Sequence, residues 1–141
     1  MRKYIKSIVK YFMLFCCGGM TYMTIEMVYR GYSDYTMAVL GGMAFVFIGC
    51  INNFIPWEMS LVNQCLIGGI LIVTPLEYLF GILFNQAYTI WDYRNVPLNI
   101  NGQICLPFTL IWCLLSIVAI VIDDYIRYYA FDEEKPIYKI I

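Results

Sequence analysis

Two glutamates lie within stretches that are otherwise apolar and long enough to cross a membrane. Glu26 is near the end of the stretch 8–29, and Glu77 lies deep within the stretch 61–84. A charge in the hydrocarbon region costs roughly 3 kcal/mol even on the lenient insertion scale, so both are candidates for binding or transport. Arg30, four residues after Glu26, shares its helix face and predicts a structural ion pair. For Glu77 we expect either Arg94 as a partner or a bound proton.

The second group of candidate residues belongs to the longest polar stretch, residues 85–103, which we predict to be an outer loop. Its aromatic and polar side chains are Trp91, Asp92, Tyr93, Arg94 and Asn99. The simpler interpretation places the two aromatic rings at the lipid interface and lets the polar groups satisfy one another. Alternatively, the loop folds back and caps a cavity above Glu77. We therefore treat these five residues and Glu77 as a candidate substrate-binding set.

The elements that must position these residues are membrane-spanning helices. The chain has 141 residues, of which 62% are hydrophobic and only 13% charged, whereas soluble domains carry nearer a quarter charged residues. Stretches of about 20 apolar residues suffice to span the hydrocarbon. The sequence predicts spans at about 8–29, 35–55, 61–84 and 104–122. We expect an all-α bundle of about four transmembrane helices forming a single transmembrane domain.

The charges predict how this bundle lies in the membrane. Basic residues concentrate in the two tails: Arg2, Lys3, Lys6 and Lys10, then Arg127, Lys135 and Lys139. The positive-inside rule then predicts that both termini are cytoplasmic, as an even number of spans requires. The turn containing Pro56, Trp57 and Glu58 would lie on the same side. We predict a multi-pass membrane protein with both termini on the cytoplasmic side.

Several classes of function find no support. The net charge is −1 and no basic face is present, so we expect no nucleic-acid partner. The chain has no histidine, and its six cysteines include no C-x-x-C pair, so we expect no metal and no disulfide framework. A P-loop, a G-x-S-x-G motif and an H-E-x-x-H motif are all missing, so we predict no catalytic residues, no cofactor and no enzyme.

A short pattern occurs in both the first and the third stretch. Gly18-Gly19 precedes Thr24 and Glu26, and Gly68-Gly69 precedes Thr74 and Glu77. The glycine-to-threonine spacing is equal, while the glutamate is offset by one residue. The chain is therefore either two repeated helical hairpins or a chance similarity, because glycine pairs are common in such helices. Pro75 also predicts a bend whose freed carbonyl could accept from the Thr74 hydroxyl.

The sequence resembles the ABC-transporter type IV family of small bacterial membrane proteins over about residues 18–125. The specific part is the W-D-Y…P-x-N…G-x-I-C-L segment, formed by Trp91-Asp92-Tyr93, Pro97-Leu98-Asn99 and Gly102-Gln103-Ile104-Cys105-Leu106. Further similar residues are Thr74-Pro75-Leu76-Glu77-Tyr78, Gly81, Asn85, Pro107-Phe108, Trp112, Glu26, Arg30-Gly31, Ser33, Met37 and Gly41-Gly42. The chain departs from the family at Arg94, where members often carry serine, and at Asp34, where they often carry histidine.

This resemblance implies a role in transport and a location in a bacterial cytoplasmic membrane. Our first hypothesis is a transporter or transport-associated subunit with a polar pocket in the outer half of the bilayer, lined by Glu77 and capped by the loop. The alternative is a non-transporting membrane scaffold or accessory subunit, and a lipid-modifying enzyme is a third hypothesis. Membrane lipid and either further copies or a membrane partner protein are the expected partners. The surroundings of Glu77 separate the first two hypotheses.

Overall fold

The computed structural model describes residues 1–55 and 59–141 of the chain. Within them, four helical segments are long and apolar enough to cross a membrane. These are Arg2–Arg30, Tyr35–Phe54, Leu61–Phe84 and Leu106–Phe131, which we call the first to fourth spans. The all-α multi-pass bundle predicted from the sequence is thereby confirmed.

The second and third spans are each built from shorter helical pieces. The second consists of α-helices Tyr35–Gly49 and Ile51–Phe54. The third consists of α-helix Leu61–Leu66, π-helix Ile67–Val73 and α-helix Thr74–Phe84. Between the third and fourth spans, the strands Asn99–Ile100 and Ile104–Cys105 pair antiparallel. The Asp34 side chain accepts a hydrogen bond from the Thr36 backbone N–H and so caps the start of the second span.

The fourth span starts at Leu106, slightly later than predicted, because Ile104–Cys105 form a strand. The two larger differences from the predicted limits both involve charge. The first span begins at Arg2 and has 29 residues, which makes it about 43 Å long against about 30 Å of hydrocarbon. Its basic first turns can therefore extend beyond the apolar layer. The fourth span continues to Phe131, so the prediction that Asp123 and Asp124 end it near residue 122 is wrong. Arg127, one turn later, pairs with Asp123 inside the helix.

The spans alternate in direction and define two ends of the bundle. The loop end holds Arg30, Tyr35 and residues 85–105. The terminal end holds the start of the first span and residues 123–141, where Leu61 N–H donates to Lys139 O at 2.6 Å. Both termini thus lie at one end, while their cytoplasmic orientation stays a prediction. The predicted turn at Pro56, Trp57 and Glu58 lies outside the described residues.

The two glycine pairs perform the same packing task in the two halves of the chain. A Cβ at Gly18 would lie 2.3 Å from Phe45 Cβ on the second span. A Cβ at Gly69 would lie 2.4 Å from Cys113 Sγ on the fourth span. Each pair therefore permits close contact with the span that follows next, as small residues do in membrane helices. The internal repeat itself stays an interpretation.

The third span widens into a π-helix just before Pro75. The backbone N–H of Thr74 donates to Gly69 O, five residues earlier, and the Thr74 hydroxyl donates to the same carbonyl at 2.7 Å. The hydroxyl also lies 3.0 Å from that of Thr109 on the fourth span. The predicted bond from the Thr74 hydroxyl to the carbonyl freed by Pro75 is wrong, because the hydroxyl bonds to Gly69 O, which already accepts the Thr74 N–H. Wide turns of this kind often mark functional regions.

Candidate functional site at the loop end

Glu77 is enclosed by hydrogen-bond donors from two other parts of the chain. Its Oε1 accepts from the Tyr93 hydroxyl at 2.9 Å, and its Oε2 accepts from Trp112 Nε1 at 3.0 Å. The side chain is only 1% exposed. Hydrogen bonds to both oxygens compensate part of the cost of removing the carboxyl group from water. Glu77 therefore faces protein groups and does not line an open pocket.

The predicted pairing of Glu77 with Arg94 is wrong. Arg94 instead donates from Nε and Nη2 to the two oxygens of Asp92, at 2.9 and 2.7 Å, and stacks over the Tyr88 ring at 4.2 Å. Asp92 is two residues away on the same turn, and both side chains keep contact with solvent, with 58% of Arg94 and 34% of Asp92 exposed. Hydrogen bonds from Arg94 lower the pKa of Asp92 to about 2 and raise the pKa of Arg94.

Trp91 and Tyr93 are buried against the bundle, so their expected position at the lipid interface is wrong. Trp91 is 6% exposed, and its Nε1 donates to Gln103 O at 2.9 Å. Tyr93 stacks on Phe108 with ring centroids 4.6 Å apart. Burial and the neighbouring carboxyl group of Glu77 raise the pKa of Tyr93, which keeps its hydroxyl a donor. The loop folds over the bundle, as the alternative interpretation of the sequence expected.

Two residues that sequence reasoning did not select hold this loop in place. Asn85 and Gln103 are 1% and 4% exposed. Asn85 donates from Nδ2 to Trp91 O and to Gln103 Oε1, at 2.7 and 3.0 Å, and accepts from Ile90 N–H. Gln103 returns a bond from Nε2 to Asn85 O. Both residues were among those that resemble the family, and a polar residue at each boundary of the loop was the further signal that could have selected them.

Asn99 serves the internal structure of the loop. Its Nδ2 donates to Val96 O at 2.9 Å, and its Oδ1 accepts from Gly102 N–H at 3.0 Å. Gly102 has a positive φ of 65°, a backbone conformation that favours glycine. The two residues thus fix the turn between the short strands. Asn99 lies away from the cavity described below.

Glu26 and Arg30 form the predicted ion pair on the first span, where Arg30 Nη2 contacts Glu26 Oε2. Arg30 Nη1 also donates to Ile90 O, which ties the end of the first span to the loop. The guanidinium group lies 4.8 Å from the centre of the Tyr32 ring. The pair is mostly enclosed, with side chains 17% and 13% exposed for Arg30 and Glu26. It therefore joins two elements in addition to balancing two charges.

A cavity of about 220 Å³ separates the ion pair from the loop. Its walls combine polar and aromatic side chains, among them Tyr22, Tyr29, Trp91, Asp92, Tyr93, Val96 and Trp112, together with Glu26 and Arg30. Glu77 lies behind this wall, held by Tyr93 and Trp112. The structure therefore brings together Glu26, Arg30, Trp91, Asp92 and Tyr93. It leaves Arg94 and Asn99 in the loop and Glu77 behind the wall.

A second polar cluster, at the terminal end, was not selected from the sequence. Asp123 Oδ2 lies 2.7 Å from Arg127 Nε, and Asp124 accepts from Asn52 Nδ2 and the Tyr138 hydroxyl, both at 2.9 Å. Burial and Asp124 raise the pKa of Tyr138. The i, i+4 spacing of Asp123 and Arg127 was a usable signal. The cluster fixes the C-terminal tail on the bundle.

The thiols and carboxylates of the chain do not assemble into a metal centre in the described part of the chain. All six cysteines are free. Within residues 1–55 and 59–141, no group of three or more Cys, Asp or Glu is arranged to hold a metal ion.

Four apolar spans with a polar cavity at one end define a multi-pass membrane protein. The family model described as "Putative ABC-transporter type IV" matches residues 10–140, and the chain belongs to this family. The resemblance drawn from the W-D-Y…P-x-N…G-x-I-C-L segment is thus confirmed. No curated protein and no solved structure matches the chain.

Proposed function

We propose that the chain is a transport-associated membrane subunit that binds a small ligand in the loop-end cavity. The observation that carries this proposal is the cavity of about 220 Å³ between the Glu26–Arg30 pair and the loop. Its walls place the charged side chains of Glu26, Arg30 and Asp92 among aromatic and aliphatic ones, at one end of four apolar spans. Charged groups facing an internal space in membrane spans are typical of ligand and ion pathways.

The size of the cavity limits the ligand to a small molecule or to the polar part of a larger one. At roughly 30 Å³ for each water molecule, the space corresponds to about seven waters. Tyrosine hydroxyls, a carboxylate and a guanidinium group provide both donors and acceptors. A ligand with both kinds of polar group fits this lining better than a purely apolar one.

We assign different roles to the residues of the candidate set. Trp91, Asp92 and Tyr93 would contact the ligand together with Glu26 and Arg30. Arg94 and Asn99 would act as positioning residues, because their bonds stay within the loop. Glu77 would also be a positioning residue, since its hydrogen bonds hold Tyr93 and Trp112 at the cavity wall.

A membrane scaffold or accessory subunit is the second candidate. The closed surroundings of Glu77 favour it, since both carboxylate oxygens are bonded to Tyr93 and Trp112. The cavity next to Glu26 and Arg30 favours binding, and we therefore place binding first. We also propose that the chain catalyses no reaction, since Asp92 is paired with Arg94 and Glu77 is enclosed.

We propose a bacterial cytoplasmic membrane as the location, with both termini cytoplasmic and the loop end outside. The distribution of Lys and Arg between the tails and the loops supports this orientation. Four spans enclose little volume, which favours function as an oligomer or beside a membrane partner protein.

The experiment that tests this proposal compares ligands extracted from the purified full-length wild type and from two tryptophan variants. Val96→Trp fills the cavity from the loop, whereas Leu98→Trp, two residues away and 71% exposed, leaves it open. Mass spectrometry of the extracts should show a molecule that the wild type and Leu98→Trp retain and Val96→Trp loses. Equal elution volumes and melting temperatures would show that all three proteins are folded.

Identical extracts from the three proteins would overturn ligand binding and leave the scaffold as the better account. If a ligand is lost in Val96→Trp, proteoliposomes containing that ligand separate transport from binding alone. Movement of the ligand across the bilayer by the wild type and not by Val96→Trp would establish transport.

A further inference from the structure

We propose, on the basis of the function above, that the ligand is a phospholipid with an amine-bearing headgroup, of the phosphatidylethanolamine class. Its headgroup would occupy the loop-end cavity, and one acyl chain would lie in an apolar groove between the first and fourth spans.

The groove is open toward the surrounding lipid. Its rim includes Ile25 and Val118, which are 42% and 53% exposed, and its floor includes Leu40, which is 2% exposed. Thr21 and Ala119 lie on its two sides. All but a small part of its lining is apolar, so an acyl chain can enter sideways without first leaving the membrane.

The groove and the cavity lie next to each other. Tyr22 of the first span and Trp112 of the fourth line both spaces. Their rings stack with centroids 5.5 Å apart and form the boundary between the polar and the apolar part. A molecule that is polar at one end and apolar at the other matches this arrangement.

The charges beside the cavity match a zwitterionic headgroup. Arg30 lines the cavity, and its Nε has no hydrogen-bond partner among the described residues, so a small turn of the guanidinium group would offer this donor to a phosphate oxygen. Glu26, beside it, could accept from an ammonium group, which has three donors. The volume of about 220 Å³ corresponds to about seven waters, which is close to the size of a phosphoethanolamine group.

The dimensions of the groove favour an acyl chain over a protein helix. The space within it is about 100 Å³, or about three waters, so it would hold a short part of an acyl chain whose remainder lies in the surrounding lipid. A helix with side chains is roughly 10–12 Å across and cannot enter such a narrow space. A second copy of the chain could only cover the groove from outside, and it would leave the polar cavity unfilled.

The test measures which phospholipid the detergent-purified full chain retains. Phosphatidylethanolamine, phosphatidylcholine and phosphatidylglycerol with identical acyl chains are added in equal amounts, and bound lipid is counted by native mass spectrometry. Phosphatidylethanolamine should be retained about tenfold better than each of the other two. Phosphatidylcholine has no N–H to donate to Glu26, and phosphatidylglycerol has no cation to pair with it.

Two variants, each with a control, distinguish binding of the acyl chain from recognition of the headgroup. Thr21→Phe fills the groove from its exposed side and should lower retention of all three lipids about tenfold. Thr24→Phe, on the same helix, exposed and outside the groove, is the matched control and should retain lipid as the wild type does. Glu26→Gln should abolish the preference among headgroups, and Glu134→Gln, exposed and at the terminal end, should preserve it.

The outcomes also separate this inference from the proposed function. Equal retention of the three lipids by the wild type, or full retention by Thr21→Phe, would overturn the inference. If Val96→Trp nevertheless loses a water-soluble ligand, the proposed function stands with another ligand. If neither lipid nor soluble ligand depends on Val96→Trp, both proposals fail. Dimers that Thr21→Phe disrupts, with no lipid preference, would show that a second copy covers the groove.

Discussion

Glu77 and Trp112 join the third and fourth spans through a hydrogen bond of 3.0 Å between the Glu77 carboxylate and the indole N–H. The second oxygen of the same carboxylate receives the Tyr93 hydroxyl, so one buried group connects two spans and the loop. Buried polar groups stabilise a fold strongly only when every donor and acceptor of the network has a hydrogen-bond partner.

The first prediction concerns the replacement Glu77→Gln. An amide offers one oxygen and one NH₂ group, so one of the two donors, from Tyr93 or Trp112, would face another donor. We expect a loss of about 1–3 kcal/mol in the free energy of unfolding. Thermal denaturation in detergent measures it, with exposed Glu134→Gln as the control. An unchanged melting temperature for Glu77→Gln would contradict the observed bonding.

The second prediction concerns the contact between the third and fourth spans. A Cβ at Gly68 would lie 2.7 Å from Ser116 Oγ and 2.9 Å from Ser116 Cβ. We expect Gly68→Ala to destabilise the bundle by about 1–3 kcal/mol through overpacking. Ser116→Gly removes the obstructing atoms, so the double variant should recover part of the lost stability. Thermal denaturation of the wild type, the two single variants and the double variant completes this double-mutant cycle. Strictly additive effects would argue against direct contact.

The third prediction concerns the attachment of the loop. Asn85→Ala removes the side-chain partner of Trp91 O, Gln103 Oε1 and Ile90 N–H at once. The loop should open more often, and hydrogen exchange of residues 86–103 should become faster by about tenfold or more, which corresponds to about 1.4 kcal/mol. Asn95→Ala, at an exposed position of the same loop, serves as the control. Equal exchange rates in the two variants would refute the role of Asn85.

The fourth prediction concerns the pH dependence of the Asp92–Arg94 pair. The pKa of Asp92 is lowered to about 2 in the folded protein, so its contribution is present above the ordinary pKa of 3.8 and is lost as pH falls through about 2. Arg94→Gln should return the pKa of Asp92 toward 3.8. Carbon-detected NMR titration of the carboxyl group measures this shift, with Lys139→Gln as the control. A pKa that stays near 2 in Arg94→Gln would show that Arg94 is not its cause.

The fifth prediction concerns orientation. Cysteines introduced at Asn95 and at Lys135 lie at opposite ends of the bundle. A membrane-impermeant thiol reagent added to whole cells should modify Asn95→Cys at once and Lys135→Cys only after the membrane is permeabilised. The reverse pattern would place the termini outside and contradict the positive-inside prediction.

The sequence predicted the spans well because membrane insertion depends on a sum over about 20 residues. It also predicted the Glu26–Arg30 pair, because a spacing of four residues places both side chains on one helix face. These local rules could not predict the long-range hydrogen-bond partners of Glu77. Trp112 and Tyr93 approach it through tertiary packing, and neither carries a charge that would have marked it as a partner.

The end of the fourth span shows a related difficulty. Adjacent acidic residues at positions 123 and 124 predict a helix boundary when each is considered as an exposed charge. Arg127 and Tyr138 provide partners from the next turn and from the tail, so the aspartates stay inside the helix. A charged side chain can be buried when it has hydrogen-bonding or charged partners. Tyr138 is 14 residues from Asp124 in the sequence, so the local sequence pattern does not reveal this partner.

The π-helical segment Ile67–Val73 gives a geometric meaning to the unequal spacing in the two halves of the chain. Seven residues separate Gly19 from Glu26, and eight separate Gly69 from Glu77. Because a π turn closes its hydrogen bond over five residues in place of four, it takes up one additional residue without rotating the helix further. Two turns of the third span therefore return Glu77 to the angular position, relative to its glycine pair, that Glu26 has in the first span. The π turn thus keeps the same angle between the packing face, which carries the glycine pair, and the polar face, which carries the glutamate. Deleting one residue from it would therefore leave a regular α-helix with the spacing of the first span and keep Glu77 at nearly the same angular position.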